Sequence, residues 1–225
     1  MSTELALVTG EFEEITNIIR NLEYFKYAKK ILDIECGTGL YPIFIAKTFP
    51  NIEIYALDLP YIIHNITRKI VEAYKLQDRI RLIPVDFTKD DIDKNYDIVL
   101  DIGAVSPLYI DVLKKIYNAL NSNGILISKH IFLDAKGQEH SLLATLFEYL
   151  QIRRRITATL EEAINNIQKA KFKIVKIIDL KTRPGHKIII ENKLTLSLVG
   201  TLHQTTTHLA VIPSSPLSQN KHSPQ

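Results

Sequence analysis

The chain has 225 residues, 46% of them hydrophobic and 24% charged, with 8 Gly and 9 Pro. That is one globular domain with some excess, too rich in core-forming residues to be disordered. A balance of 28 basic against 25 acidic residues, +3 overall, carries no nucleic-acid signal. No apolar run of about 18 residues marks a membrane span, and MSTELALVTGEF lacks the regions of a secretory signal. The single cysteine, Cys36, excludes an internal disulfide framework and a cysteine-rich zinc site, so a cytoplasmic home is expected.

In chain order, residues 11–28 carry Ile15, Ile18, Ile19 and Leu22 at helical spacing. KKILDIE (29–35) reads as a buried strand, YPIFIAKTF (41–49) as a helix with Pro42 in its first turn, and NIEIYALD (51–58) as a second strand. A helix is predicted over 61–75, with Ile62, Ile63, Ile66 and Ile70 on one face. Strands follow at 79–86 and 96–102, then a helix at 107–120 with Val112, Leu113 and Ile116 on its stripe. NSNG turns into a fifth strand, 125–133; helices are expected at 141–150 and 160–170. FKIVKIIDL and HKIIIEN close the pattern as a hairpin around a PG turn.

Alternating strands and helices predict an α/β fold: a Rossmann-like, doubly wound, seven-stranded sheet, mainly parallel with an antiparallel C-terminal edge hairpin. The organisation expected is an N-terminal helical segment (1–28), a nucleotide-binding-type domain (29–192) and an uncharged tail (193–225) whose only charged residue beyond Lys193 is Lys221. The tail should be loose, and its histidines are too irregularly spaced for a metal site.

In sheets of this kind a ligand sits at the carboxyl ends of the strands. There the first strand ends in Asp33 and runs into Gly37 and Gly39 before a helix. The second ends in Asp58, an acid placed to bind ribose hydroxyls, and the third in Asp86 and Phe87, able to meet the edge and face of a base. Each signal alone is weak, since strand-end acids commonly cap turns. Their ordered conjunction predicts a nucleoside cofactor. The third glycine of a dinucleotide fingerprint would fall on Pro42, no Walker loop is present, and Asp33 would repel a diphosphate but suits an ammonium. S-adenosyl-L-methionine fits these constraints.

The segment ILDIECGTG…YALDLPYII…RIRLIPVDF resembles the class I S-adenosylmethionine-dependent methyltransferases. More narrowly, DLP after the second strand and RIRLIPVDF around the third resemble the small-molecule O-methyltransferases of the caffeate and hydroxyindole type, over about residues 12–192. The resemblance implies that Asp33, Gly37 and Gly39 line the methionine part of the cofactor. It implies that Asp58 takes the ribose, with Leu59 against the adenine, and that Asp86 accepts from the adenine amino group while Phe87 packs on the ring.

Five departures stand out. Glu35 replaces the first glycine of the family loop, where its side chain either crowds the cofactor or reaches its ammonium. The family's catalytic histidine falls on Ser106, its neighbouring lysine on Ile102, and its strand-five acid on His130. Only about 30 residues precede the first strand, where family members carry a dimerisation domain. The candidates for acid–base work are therefore His130, Ser106 and Asp101, each with a structural role as the competing reading. His64 reads as surface, His140 as solvated, the 153–155 arginines as a solvated run and Cys36 as a turn residue. The expected reaction is methyl transfer to a small-molecule acceptor at oxygen, without a nucleic-acid or membrane partner and without a metal. A non-catalytic nucleoside-binding domain is the alternative, and a nicotinamide oxidoreductase the reading that Pro42 disfavours.

Overall fold

A computed structural model describes residues 2–103, 106–133 and 158–193, with side chains from residue 6. Two helices, α1 (Ser2–Thr9) and α2 (Glu11–Arg20), precede a 3-10 turn at Glu23–Tyr27. The predicted 11–28 helix is thus shorter than its periodicity suggested. Asn21 ends it by donating from its side-chain amide back to the Asn17 carbonyl at 2.8 Å, and Leu22 then turns extended. Helix α1 lies within the N-terminal segment expected to be helical, and Gly10, at φ 77°, breaks it from α2.

The strands are β1 (Lys30–Ile34), β2 (Glu53–Asp58), β3 (Ile80–Pro84), β4 (Tyr96–Ile102), β5 (Leu120–Leu133), β6 (Ala158–Thr159), β7 (Phe172–Asp179) and β8 (His186–Lys193). The sheet runs β3-β2-β1-β4-β5-β8-β7, parallel except where β8 pairs antiparallel with β5 and β7. The expected seven strands and edge hairpin are present. The two-residue β6, which extends the end of β5, is an eighth that was not foreseen. β5 also starts earlier than predicted: Leu120 pairs with Tyr96 before the register is interrupted and the ladder resumes at Ile98 and Ile125, with Asn123 at φ 64° in the interruption.

Helix α3 (Leu40–Thr48) follows β1. After β2 comes one helical run made of α4 (Pro60–Ile62), a π turn (Ile63–Thr67) and α5 (Arg68–Ala73). A 3-10 turn at Ser106–Leu108 leads into α6 (Ile110–Ala119), and α7 (Leu160–Lys169) starts on a capping box between Thr159 and Glu162.

Strand alternation divides the core into two layers. On one face Ile31, Ile54, Leu100, Ile127 and Ile190 pack under α2 and α3. On the other, Leu32, Leu57, Val99, Leu126 and Ile189 meet Leu113 and Ile116 of α6 and Ile167 of α7. Strands are added outward from β1 in one direction and from β4 in the other, so the crevice of the sheet opens between their carboxyl ends. The predicted 141–150 helix, His140, the arginines at 153–155 and the tail beyond Lys193 lie outside the described residues.

Candidate functional site

The turn after β1 is a strained one. Glu35, Gly37 and Gly39 all have positive φ, at 51°, 55° and 75°. The two glycines do different jobs. A Cβ on Gly37 would meet nothing nearer than 4.0 Å, so its backbone faces open space. A Cβ on Gly39 would lie 2.9 Å from Thr67 Cγ2 and 3.6 Å from Val71 Cγ2. Gly39 is therefore small so that the helical run after β2 can approach, a packing role that the sequence reading did not include.

Thr67 supplies a contact the sequence reading missed. Fully buried in the π turn, it donates its hydroxyl to the Gly37 carbonyl at 2.6 Å. π turns cluster at functional sites, but this one has no local sequence signature, because a threonine inside a helical pattern looks like any other.

Asp58, 7% exposed, accepts from the Gly37 N–H at 2.8 Å and the Leu59 N–H at 2.7 Å. It ties the glycine turn to the end of β2 and keeps two lone-pair positions for another donor. Leu59 is 46% exposed beside it. The end of β3 is joined here too, since the Val85 N–H donates to the Asp58 carbonyl at 2.9 Å.

Asp86 and Phe87 are less available than expected. The Asp86 carboxylate accepts from the Thr88 hydroxyl at 2.6 Å and pairs with Lys89 at 2.7 Å, contacts that hold its pKa down to about 2. Phe87 is 4% exposed and packs in the second core layer with Leu32 and Ile34.

Asp33 (2% exposed) and Asp101 (fully buried) lie at the neighbouring ends of β1 and β4, Asp33 opposite Leu100. Among the described residues Asp33 accepts no hydrogen bond, and neither Asp33, Glu35 nor Asp58 is paired with a lysine or arginine. Burial, then the charges of Asp101 and Asp58, push the Asp33 carboxyl well above the usual range. Glu35 is exposed by area, yet crowding by protein and then the same two carboxylates push it up to about 7. The Thr38 hydroxyl is also buried without a partner. Four carboxylates thus converge on one rim without a lysine or arginine, an arrangement that raises the free energy of their ionised forms and favours a cationic guest. Among the described residues no His, Cys, Asp and Glu group could hold a metal ion.

His130 stands at the same rim, one residue past the last β4–β5 register pair, with Nε2 3.2 Å from Asp101 Oδ2. Asp101 Oδ1 is buried without a partner. The Ser106 side chain lies outside the described set. Cys36 is buried, and burial followed by Asp33 and Asp58 pushes its thiol far up, as suits a turn residue. His64 is exposed. Two surface hollows, one lined by residues 50–54, 78, 79 and 81 and one by 26–29, 51 and 53, lie at the opposite, amino-terminal rim and contain none of these residues.

A family model described as an O-methyltransferase domain matches residues 11–156. An uncharacterized protein of Methanocaldococcus jannaschii is 38% identical over 127 residues, 55% of this chain and 33% of the relative. Among solved structures, an O-methyltransferase family protein from Burkholderia thailandensis superposes with a TM-score of 0.70 at 13% identity, over 86% of this chain and 59% of the other. Human N-acetylserotonin methyltransferase in complex with S-adenosylmethionine does so with a TM-score of 0.61 at 15% identity, over 87% and 57%. This chain therefore spans a third of that relative's length and under two thirds of either structure. No described helix is long and apolar enough to cross a membrane. With almost two thirds of its length matched by the family model, the chain belongs to the O-methyltransferase domain family.

Proposed function

We propose that the chain binds S-adenosyl-L-methionine at the carboxyl ends of β1, β2 and β4 and transfers its methyl group to a small-molecule acceptor at oxygen. The observation that carries this reading is the set of carboxylates without a lysine or arginine partner, Asp33, Glu35, Asp58 and Asp101, around an open Gly37 backbone. A ligand bearing an ammonium and a sulfonium supplies the positive charge that this rim lacks, whereas a diphosphate would add to the repulsion.

In this reading Asp33 and Glu35 face the ammonium, Asp58 uses its free lone pairs on the ribose, and Leu59 lies against the base. Asp86 and Phe87 contribute to the adenine end once Asp86 exchanges its contacts within its own turn. The cofactor brings a methyl group already activated toward nucleophiles. The protein's part is to orient the acceptor, exclude water and take up its proton.

Calorimetric titration with S-adenosylmethionine and with its demethylated product tests the binding. Both should bind, and Asp33→Asn should weaken both at least tenfold while leaving the melting temperature unchanged or raised, because burial and the neighbouring carboxylates already disfavour the ionised form of Asp33. Absence of binding by the wild-type chain overturns the reading. Transfer of a labelled methyl group to a panel of small hydroxyl compounds separates an enzyme from a protein that only binds the nucleoside.

A further inference from the structure

We infer that His130 is the proton acceptor for the substrate hydroxyl, and that Asp101 is a positioning residue that holds its ring in the competent tautomer. This rests on the methyl-transfer reading above and adds the group that completes the reaction. Nε2 of His130 lies 3.2 Å from Asp101 Oδ2. Against a carboxylate that ring nitrogen is the donor, which leaves Nδ1 with its lone pair and, among the described residues, without a hydrogen bond. The imidazole side chain is 11% exposed, so it is held by packing but open at the rim. The edge of Phe132 stands 6.3 Å away, ring centre to ring centre.

Asp101 is built for the orienting role. It is fully buried, and it is the first charge felt by both Asp33 and Glu35. It thus connects the cation-seeking carboxylates to the imidazole. Behind it on the same sheet face, Ser128 donates to Glu191 at 2.8 Å. Burial, with the Asp101 charge adding to it, raises the Glu191 carboxyl well above the usual range.

The other basic groups near this rim are unsuited to the task. Burial, then Lys129 and Arg183, push His186 down to about 4, and its Nδ1 is buried. The Tyr41 hydroxyl is committed to Glu11. In the step itself the acceptor oxygen forms the new O–CH3 bond as the S–CH3 bond breaks, and that bond's electron pair stays on sulfur as a neutral thioether. The hydroxyl proton passes to His130 Nδ1, and the imidazolium then loses it to solvent.

The tautomer is measurable without any substrate. Nitrogen-15 shifts of the ligand-free protein should show His130 protonated at Nε2 and bare at Nδ1, and Asp101→Asn should change that preference. A ring protonated at Nδ1 in the wild type, or a tautomer indifferent to Asp101→Asn, overturns the inference. In transfer assays with phenol and an already ionised nitrophenol as probes, His130→Gln should lose roughly 10²–10⁴-fold in kcat with phenol and little with the nitrophenol. Equal loss on both overturns the base role. Calorimetry of His130→Gln with S-adenosylmethionine should match the wild type. If the wild type itself fails to bind, it is the methyl-transfer reading that falls, and the tautomer result still stands by its own test.

Discussion

Glu35 occupies a left-handed backbone position, φ 51°, where a side chain costs about 1–2 kcal/mol relative to the right-handed regions. Its carboxyl, pushed up to about 7, is half ionised near neutral pH. Two outcomes follow at this scale. Glu35→Gly should raise the melting temperature, by an amount near 1 kcal/mol in stability. Affinity for S-adenosylmethionine should rise between pH 6 and pH 8 as the carboxylate forms, and Glu35→Gln should flatten that rise; calorimetry across this range reads both. The sign is that of an acid with a raised pKa: the charge that attracts the cation is complete only above about 7. Asp58→Ala removes the acceptor of the Gly37 and Leu59 N–H groups as well as the expected ribose contact. It should weaken cofactor binding by about 1–3 kcal/mol by calorimetry.

At the scale of elements, the helical run after β2 and the glycine turn after β1 act as one unit. The Thr67 hydroxyl holds the Gly37 carbonyl, and Gly39 leaves room for Thr67 and Val71. Gly39→Ala forces a methyl into that contact at a positive φ and should destabilise by about 1–3 kcal/mol in chemical denaturation. Thr67→Val keeps the shape but loses the hydrogen bond, at about 1 kcal/mol, and should weaken the cofactor as the turn loosens. Hydropathy periodicity predicted a regular helix here with Ile62, Ile63, Ile66 and Ile70 on one face; of these Ile63 is buried, and Thr67 and Val71 complete the buried side. Periodicity could not register the π turn, because the isoleucines keep helical spacing along the sequence whether or not one turn is widened.

Over the whole molecule, α2 is locked across the sheet by a buried polar cluster. Lys129 of β5 pairs with Glu11 at 2.6 Å, Arg183 reaches Glu11 at 3.2 Å, and Tyr41 donates to it. Glu14 accepts from the Lys181 and Thr182 N–H groups at 2.9 Å. Burial alone would raise the Glu11 carboxyl, but Lys129, Tyr41 and Arg183 outweigh it and hold it below the usual range. His186, with its pKa depressed to about 4, must stay neutral. Both groups bind protons more tightly in the unfolded chain, so both make stability fall as the pH drops. The His186 contribution is lost from about 6.5 toward 4, and that of Glu11 below 4.5. Denaturant midpoints from pH 8 to pH 4 should show this decline, with about 3 kcal/mol from His186. Lys129→Met takes the nearer cation from the buried Glu11, leaving it Arg183 and Tyr41, and should cost up to about 3 kcal/mol.

Much of this protein was legible in its sequence. The succession of strands and helices, the closing edge hairpin and the turn that carries Gly37 follow from hydropathy period and glycine placement, which are local and survive any arrangement of the rest. The acids at the strand ends could be named for the same reason. What each one faces could not, because a carboxylate's partner is chosen by strand register and by elements distant in sequence. Thus Asp58 holds the Gly37 turn, Asp86 is engaged by its own loop, and Gly39 yields space to Thr67. Likewise the pairing of Asp101 with His130 exists only because β4 and β5 lie side by side in one register. Spacing along the chain reports periodicity, whereas proximity across a sheet is a property of the fold.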